Sequence, residues 1–182
     1  MGYIGKSIPA LNNRILAAGK GTFVGDIDLP GMCHMAMVRS PYAHARIKAI
    51  DTSAADRLPG VITTIVGEEV RQKTNPIPTH SPALGEKRIK LYALAVDKVR
   101  YVGEPVAAVV AEDRYTANQA ARLVEVTYEE LPPVVDPEKA LEPGNTLVVE
   151  EWGDNILSSR TQTHGDPDAR LKAAAGTVKG MV

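Results

Sequence analysis

The chain has 182 residues, with 21 Lys and Arg against 22 Asp and Glu, for a formal net charge of −1. Charge this near zero gives no general pull toward nucleic-acid phosphates or anionic membranes. One cysteine, Cys33, excludes an internal disulfide, an iron–sulfur cluster and a cysteine-rich zinc site. With 44% hydrophobic and 24% charged residues the chain reads as a folded globular one, and it is long enough to bury a core unaided.

Residues 1–15 are expected to be an irregular lead-in. They lack the basic flank and apolar core of a secretory signal, which predicts a cytoplasmic protein. Gly19 to Gly31 is too rich in Gly and Asp for a helix, and Pro30-Gly31 signals a turn. Residues 32–39 predict a strand buried on both faces, broken by Ser40-Pro41. Residues 45–50 resume as a strand, with Ile47 and Ile50 as core candidates. Asp51-Thr52-Ser53 offers N-caps for a short helix over 54–58, which Pro59-Gly60 ends. The β-branched run Val61–Val66 predicts a strand. Residues 71–90, with three prolines, read as a long loop.

Residues 99–102 and 106–111 predict two strands joined tightly through Gly103-Glu104-Pro105. Thr116-Ala117-Asn118-Gln119 matches a capping box, with Tyr115 at the staple position. Ala117, Ala120, Ala121 and Val124 form a stripe of small residues suited to lie on a sheet. Residues 126–131 alternate as a strand, and Pro132-Pro133 stops it. Beyond Asp136 the pattern weakens. No apolar run approaches the length that spans a bilayer. Short, sparse helices among strands place the chain in the α+β class: crossover helices of a parallel sheet would be longer.

The residues supply no complete chemical set. Gly19, Gly21 and Gly25 miss the dinucleotide spacing by one position, and Gly2 to Ser7 lacks the four-residue gap of a P-loop. Cys33 and His34 are neighbours on a strand, point to opposite faces and cannot share a metal. A buried Cys33 and a hydrogen-bonded His34 are expected. His44, His80 and His164 are scattered, which predicts structural or solvated roles. Met35-Ala36-Met37 has no Lys between its methionines and so cannot be a biotin or lipoyl carrier. No nucleophile stands in a G-x-S-x-G setting. Glu104 is expected to be a rim carboxylate at a turn, and Glu129-Glu130 to be solvated. The expectation is therefore no catalytic, cofactor-binding or metal-ligating residue, and a structural role. The alternatives are a stand-alone ligand-binding or enzymatic α+β domain using Glu104 and a His, or an inactive orphan fragment.

Several segments together resemble the N-terminal part of the molybdenum-binding large subunit of the xanthine dehydrogenase, aldehyde oxidase and carbon monoxide dehydrogenase family. They are Ile4-Gly5-Lys6-Ser7, Gly25-Asp26-Ile27-Asp28-Leu29-Pro30-Gly31-Met32, Arg39-Ser40-Pro41-Tyr42-Ala43-His44-Ala45-Arg46-Ile47, Asp51-Thr52-Ser53-Ala54-Ala55, Leu58-Pro59-Gly60-Val61, Lys98-Val99-Arg100-Tyr101-Val102-Gly103-Glu104-Pro105-Val106-Ala107 and Tyr128-Glu129-Glu130-Leu131-Pro132-Pro133-Val134-Val135-Asp136. Each is weak alone; their order and spacing agree along nearly the whole chain. Thr163-His164-Gly165-Asp166-Pro167-Asp168-Ala169 resembles the family's approach to its molybdenum domain.

The resemblance implies an α/β hammerhead, a mixed sheet with short helices. It implies a lead-in over 1–15, the hammerhead over 16–137, and an extended tail over 138–182 leading toward a molybdopterin-binding domain that follows. It also implies an oxidoreductase that hydroxylates aldehydes, N-heterocycles or similar substrates. Molybdopterin, iron–sulfur clusters and FAD are expected in the complete enzyme, none bound by this chain alone. The implied partners are the molybdopterin-binding remainder of the large subunit and the iron–sulfur and FAD subunits or domains, with neither nucleic acid nor membrane. Residues 177–182 resemble the start of the next domain's first strand, so a separately encoded or excised hammerhead portion is expected. His44, Arg46, Arg100 and Glu104 lie in the most recognisable segments and are expected to serve fold and interface rather than chemistry.

Overall fold

The structure, a computed structural model, describes residues 4–78 and 86–178. The readings placed on Gly2, Tyr3, His80 and residues 179–182 lie outside the described residues. In chain order the elements are α1 (Asn13–Ala17), β1 (His34–Arg39), β2 (Ala45–Asp51), α2 (Ser53–Asp56), β3 (Val61–Val66), α3 (Gly67–Lys73), β4 (Lys98–Val99), β5 (Pro105–Ala111), α4 (Arg114–Ala121), β6 (Glu125–Glu130) and α5 (Pro167–Lys172).

β5 has no polar side chain and is the middle strand of one sheet, in the order β1-β5-β3. Both neighbours run antiparallel to it, with Ala36 opposite Val109 and Thr64 opposite the same residue from the other side. A strand hydrogen-bonded on both edges and covered by a helix must be apolar throughout, and Ala and Val let that helix approach closely. The helix is α4. Its Ala117 and Ala120 are buried, as the stripe predicts, and they sit in apolar clusters with Ala107, Val109 and Ala111.

The second sheet has the order β4-β2-β6, again antiparallel, with Ala45 opposite Val99 on one side and Glu130 on the other. Ala45, Ala95, Val99 and Val106 form its core, and half-buried Val38 and Val126 touch both this cluster and the one beneath α4. Ile47 and Ile50 are half-buried against these clusters.

Four sequence readings need correction. Residues 99–102 and 106–111 do not form a hairpin: β4 belongs to the second sheet and β5 to the first. Between them Gly103, at φ +88°, donates its N–H to Ser40 O at 2.8 Å, and Ser40 N–H donates to Glu104 O at 2.9 Å. These bonds hold the turn on the end of β1 and send the chain from one sheet to the other. The loop expected over 71–90 begins later, because α3 occupies Gly67–Lys73. Glu68 pairs with Arg71 and Gln72, and Glu69 with Lys73, across single helical turns.

α4 starts three residues before the expected capping box. Asp113 is its N-cap, accepting from Tyr115 N at 2.8 Å and Thr116 N at 2.9 Å, and Tyr115 is exposed rather than stapled. Finally, β1 is covered on one face, not two: Ala36 is buried while Met35 is exposed.

Past β6 the chain does not leave the second sheet at once. A 3-10 turn at Glu150–Trp152 brings Glu150 to Lys98 on β4, Nζ to Oε2 2.7 Å. Trp152 Nε1 donates to Arg88 O at 2.8 Å, Lys87 pairs with Asp154, and Val149 is buried. From Ile156 to Val178 every residue is exposed.

Candidate functional site

The best-formed constellation is the turn between β4 and β5. Glu104 is 6% exposed, so the expected rim carboxylate is in fact buried. The reason is local: Arg100 N–H donates to Glu104 Oε2 at 2.5 Å, drawing the carboxylate under its own turn. Burial pushes the Glu104 carboxyl above the usual carboxylate range, and the amide hydrogen bond and the nearby Arg100 charge oppose that rise. Arg100 Nη1 donates to Lys98 O at 3.3 Å, while its buried Nε has no hydrogen-bond partner. Arg39 Nη1 donates to Gly103 O at 2.8 Å and closes the turn from the other side.

This turn forms one wall of a cavity of about 770 Å³. Arg71 of α3, Tyr92, Arg100, Glu104, Val149 and Glu151 contribute to its lining. A buried acid beside an arginine is a combination that acid–base catalysis uses. Here one carboxylate oxygen is committed to a backbone amide, and the geometry is that of a turn lock.

The second polar centre lies at the start of β2. Ser40, 2% exposed, donates from Oγ to Tyr42 O and accepts from Tyr42 N–H, each at 3.0 Å. His44 is 3% exposed; its Nδ1–H donates to Pro132 O at 2.9 Å, and its Nε2 is buried without a partner. Leu131 N–H donates to His44 O at 2.9 Å. The Tyr42 and Tyr128 rings meet at 5.1 Å, and burial raises the Tyr128 hydroxyl above its ordinary range against a hydrogen bond with Ser40. His44 therefore ties the end of β6 to the start of β2, the structural role its isolation in the sequence predicts.

The other candidates are dispersed. Cys33 is exposed, contrary to the buried thiol expected, because β1 starts one residue later. His34 is half-buried on β1, and His164 is exposed. Glu129 is exposed and paired with Lys48, as a solvated strand-end pair should be. Sequence reasoning missed Lys98, 4% exposed and bonded to Glu150. Lysine is so seldom buried that no local signal marks this one.

Among the described residues no group of three or more His, Cys, Asp and Glu side chains is placed to hold a metal. One thiol cannot supply the four that an iron–sulfur cluster takes. The cavity meets α3 at Arg71, near its C-terminal end, so that helix offers its wall no N-terminal amides for a phosphate. The described residues thus offer no ligand set for a metal ion or an iron–sulfur cluster, and no chemical step is derived through one. None of the described helices is long and apolar enough to cross a membrane.

Two small antiparallel three-stranded sheets, the first covered by short helices, define an α+β module. The chain belongs to the aldehyde oxidase and xanthine dehydrogenase family, whose a/b hammerhead domain matches residues 18–132. It is 38% identical over 178 residues to the nicotine 6-hydroxylase large subunit of Paenarthrobacter nicotinovorans, covering 98% of this chain and 22% of that protein. It is 34% identical over 164 residues to the xanthine dehydrogenase molybdenum-binding subunit of Escherichia coli O157:H7, covering 89% of this chain and 22% of the relative. Among solved structures, quinoline 2-oxidoreductase from Pseudomonas putida 86 superposes with a TM-score of 0.83 at 36% identity, covering 97% of this chain and 22% of that one. The chain thus spans about a fifth of the length of the curated relatives it matches.

Proposed function

We propose that this chain is the hammerhead portion of a molybdenum hydroxylase large subunit, acting as a structural and docking element and not as the site of chemistry. The observation that carries this reading is the 178-residue match to a large subunit, which takes in nearly the whole chain. In the proposal residues 1–15 are a lead-in, 16–137 the hammerhead, and 138–182 a tail leading toward a molybdopterin-binding domain. No residue of this chain is catalytic, cofactor-binding or metal-ligating. The remainder of the large subunit holds molybdopterin, which supplies the hydroxylation chemistry when bound. Iron–sulfur and FAD subunits or domains carry the electrons away. The substrate class is an aldehyde, an N-heterocycle or a similar molecule, and the compartment is the cytoplasm.

The buried turn at Glu104 supports the reading, because its acid holds backbone amides in place of a substrate. The test is to purify the tagged chain from its own host with whatever accompanies it. Molybdenum, iron and flavin are then measured, and turnover of an aldehyde or N-heterocycle with a dye acceptor is followed. The expected result is molybdenum and turnover only in fractions that contain the remainder of the large subunit. A metal-free, partner-free monomer that still turns over substrate would overturn the proposal.

A further inference from the structure

Between Leu131 and Asn155 only Val149 is buried, and the core clusters contain no residue beyond Tyr128. The stretch holds neither strand nor α-helix. It is nonetheless a formed unit, because one side chain braces it from within. Asn155 Oδ1 accepts from Val148 N–H at 2.9 Å, and its Nδ2 donates to Thr146 O at 2.9 Å and to Ala140 O at 3.2 Å. Residues 140–155 thereby close into a loop on themselves.

What fastens this loop to the rest of the protein is polar and lies at two points. Glu150 takes Lys98 of β4 at 2.7 Å, with Arg46 of β2 at 3.8 Å from its other oxygen. At the second point Lys87 pairs with Asp154, donates to Trp152 O at 3.3 Å and lies 5.9 Å from the centre of the Trp152 ring. Trp152 Nε1 donates to Arg88 O beside it. The Glu150 and Asp154 side chains are 50% and 48% exposed, and ion pairs at that exposure hold weakly. The loop keeps from water the Lys98 ammonium and one valine of its own. Lifting it returns a buried charge to solvent and uncovers almost no apolar surface. Opening the sheets would instead expose Ala45, Val99, Val106 and Val109, all at 0% exposure. A part fastened by half-exposed polar contacts opens at a lower free energy than a packed core.

We infer that residues 140–155 form a flap that swings away from the second sheet as a unit while both sheets stay paired. Val149 and Glu151 of the flap line the cavity of about 770 Å³, with Arg71 and Tyr92 among its other walls. The open flap turns that cavity into a groove and frees the Lys98 amine. The device stands on this geometry alone and does not rest on the function proposed above.

The experiment uses the protein as isolated from its host, in its native assembly. Its lysines are acylated in a short pulse of acetic anhydride beside a free lysine peptide, and modification of Lys98 is read by mass spectrometry. Amide hydrogen exchange of β5 is measured on the same preparation. Lys98 should react more slowly than the peptide, yet with protection at least about a hundredfold smaller than that of the β5 amides. Lys87→Met loosens the far clasp without touching Lys98 or Glu150. It should raise Lys98 acylation by about fivefold or more and leave β5 exchange unchanged. Asp154→Asn, which loosens the same clasp from the flap side, should do likewise. Glu69→Gln, which breaks a pair on α3, should leave Lys98 at the wild-type rate. Protection of Lys98 equal to that of the β5 amides would overturn the flap, because the sheets would then have to open first. Acylation as fast as that of the free peptide would overturn its closed state. Wild-type acylation in both clasp variants would overturn motion as a unit.

Discussion

Replacing Glu104 by Ala removes the acceptor for Arg100 N–H, bonded at 2.5 Å in a site 6% exposed. A hydrogen bond to a charged acceptor contributes about 1.5–3 kcal/mol, and a buried donor left unmade costs the upper part of that range. Lost burial of the side-chain methylenes adds roughly 1 kcal/mol. The expected loss is about 3 kcal/mol, a fall in thermal midpoint on the order of 10 °C for a chain this size. Glu104→Gln keeps an acceptor oxygen and should cost less than about 1 kcal/mol at neutral pH.

The two variants also differ in how stability follows pH. The folded-state carboxyl is raised above its unfolded value, so the native state binds the proton more tightly. Wild type therefore loses stability relative to Glu104→Gln as pH rises from the unfolded carboxyl's range through the folded value. Denaturant titrations of the three proteins from pH 4 to 8 check both points. Equal midpoints for wild type and Glu104→Ala would refute the turn-lock argument. A Gln variant as weak as the Ala variant would do the same.

Three further outcomes are expected. Glu150→Ala leaves Lys98 buried at 4% exposure without its 2.7 Å partner. Breaking a buried pair costs about 3–5 kcal/mol, reduced here to roughly 2 because Glu150 is half exposed and screened. The Lys98 hydrogen bond holds the Glu150 carboxyl below its usual range, so this contribution is present above the unfolded value and lost as pH falls through the folded one. The variant's denaturation curve should accordingly converge on wild type in acid. Gly67→Ala would drive a Cβ into Ala95 O, a backbone atom, so the start of α3 and the 95–96 segment must part. A loss of about 3 kcal/mol is expected from that overpacking, and an unchanged melting curve would contradict it. Val109→Ala opens a void in a site with 0% exposure beneath α4 and should cost about 2 kcal/mol by urea titration.

The parts of the fold that were legible in the sequence are those set by short-range chemistry. The β-branched run of β3, the small-residue stripe of α4 and the proline stop after β6 each carry their own signal. What could not be read depends on distant partners. Nothing near Val99 says that it faces Ala45 instead of folding back on Val106, because that choice is made by Ser40 holding Gly103 and Glu104. Asp113 and Thr116 both qualify as caps. Asp113 prevails because it reaches two amides.

The site was legible only as a segment. Lys98 to Ala107 stands out as a family-like stretch, yet whether its carboxylate turns outward or under the turn is decided by one hydrogen bond from Arg100. Pro76 and Pro78 mark only the loop beyond α3, whose own signal is the four-residue spacing of Glu68 with Gln72 and of Glu69 with Lys73. The α+β class follows from the sparse short helices, the hammerhead from the ordered set of resembling segments, and the family match over 18–132 agrees with both.

The strand order carries a consequence for synthesis. In the first sheet the middle strand is the last of the three to be made: β1 and β3 both precede β5. On the ribosome the two flanking strands have no common partner until residue 111 has emerged, and β2 waits for β6 until residue 130. Over that interval unpaired edges and apolar faces are presented together, the condition in which nascent chains mispair. Pairing between strands so far apart in sequence is also intrinsically slow. A pause that delayed residues 105–111 would prolong this exposure, whereas one placed after Glu130 would find both sheets complete.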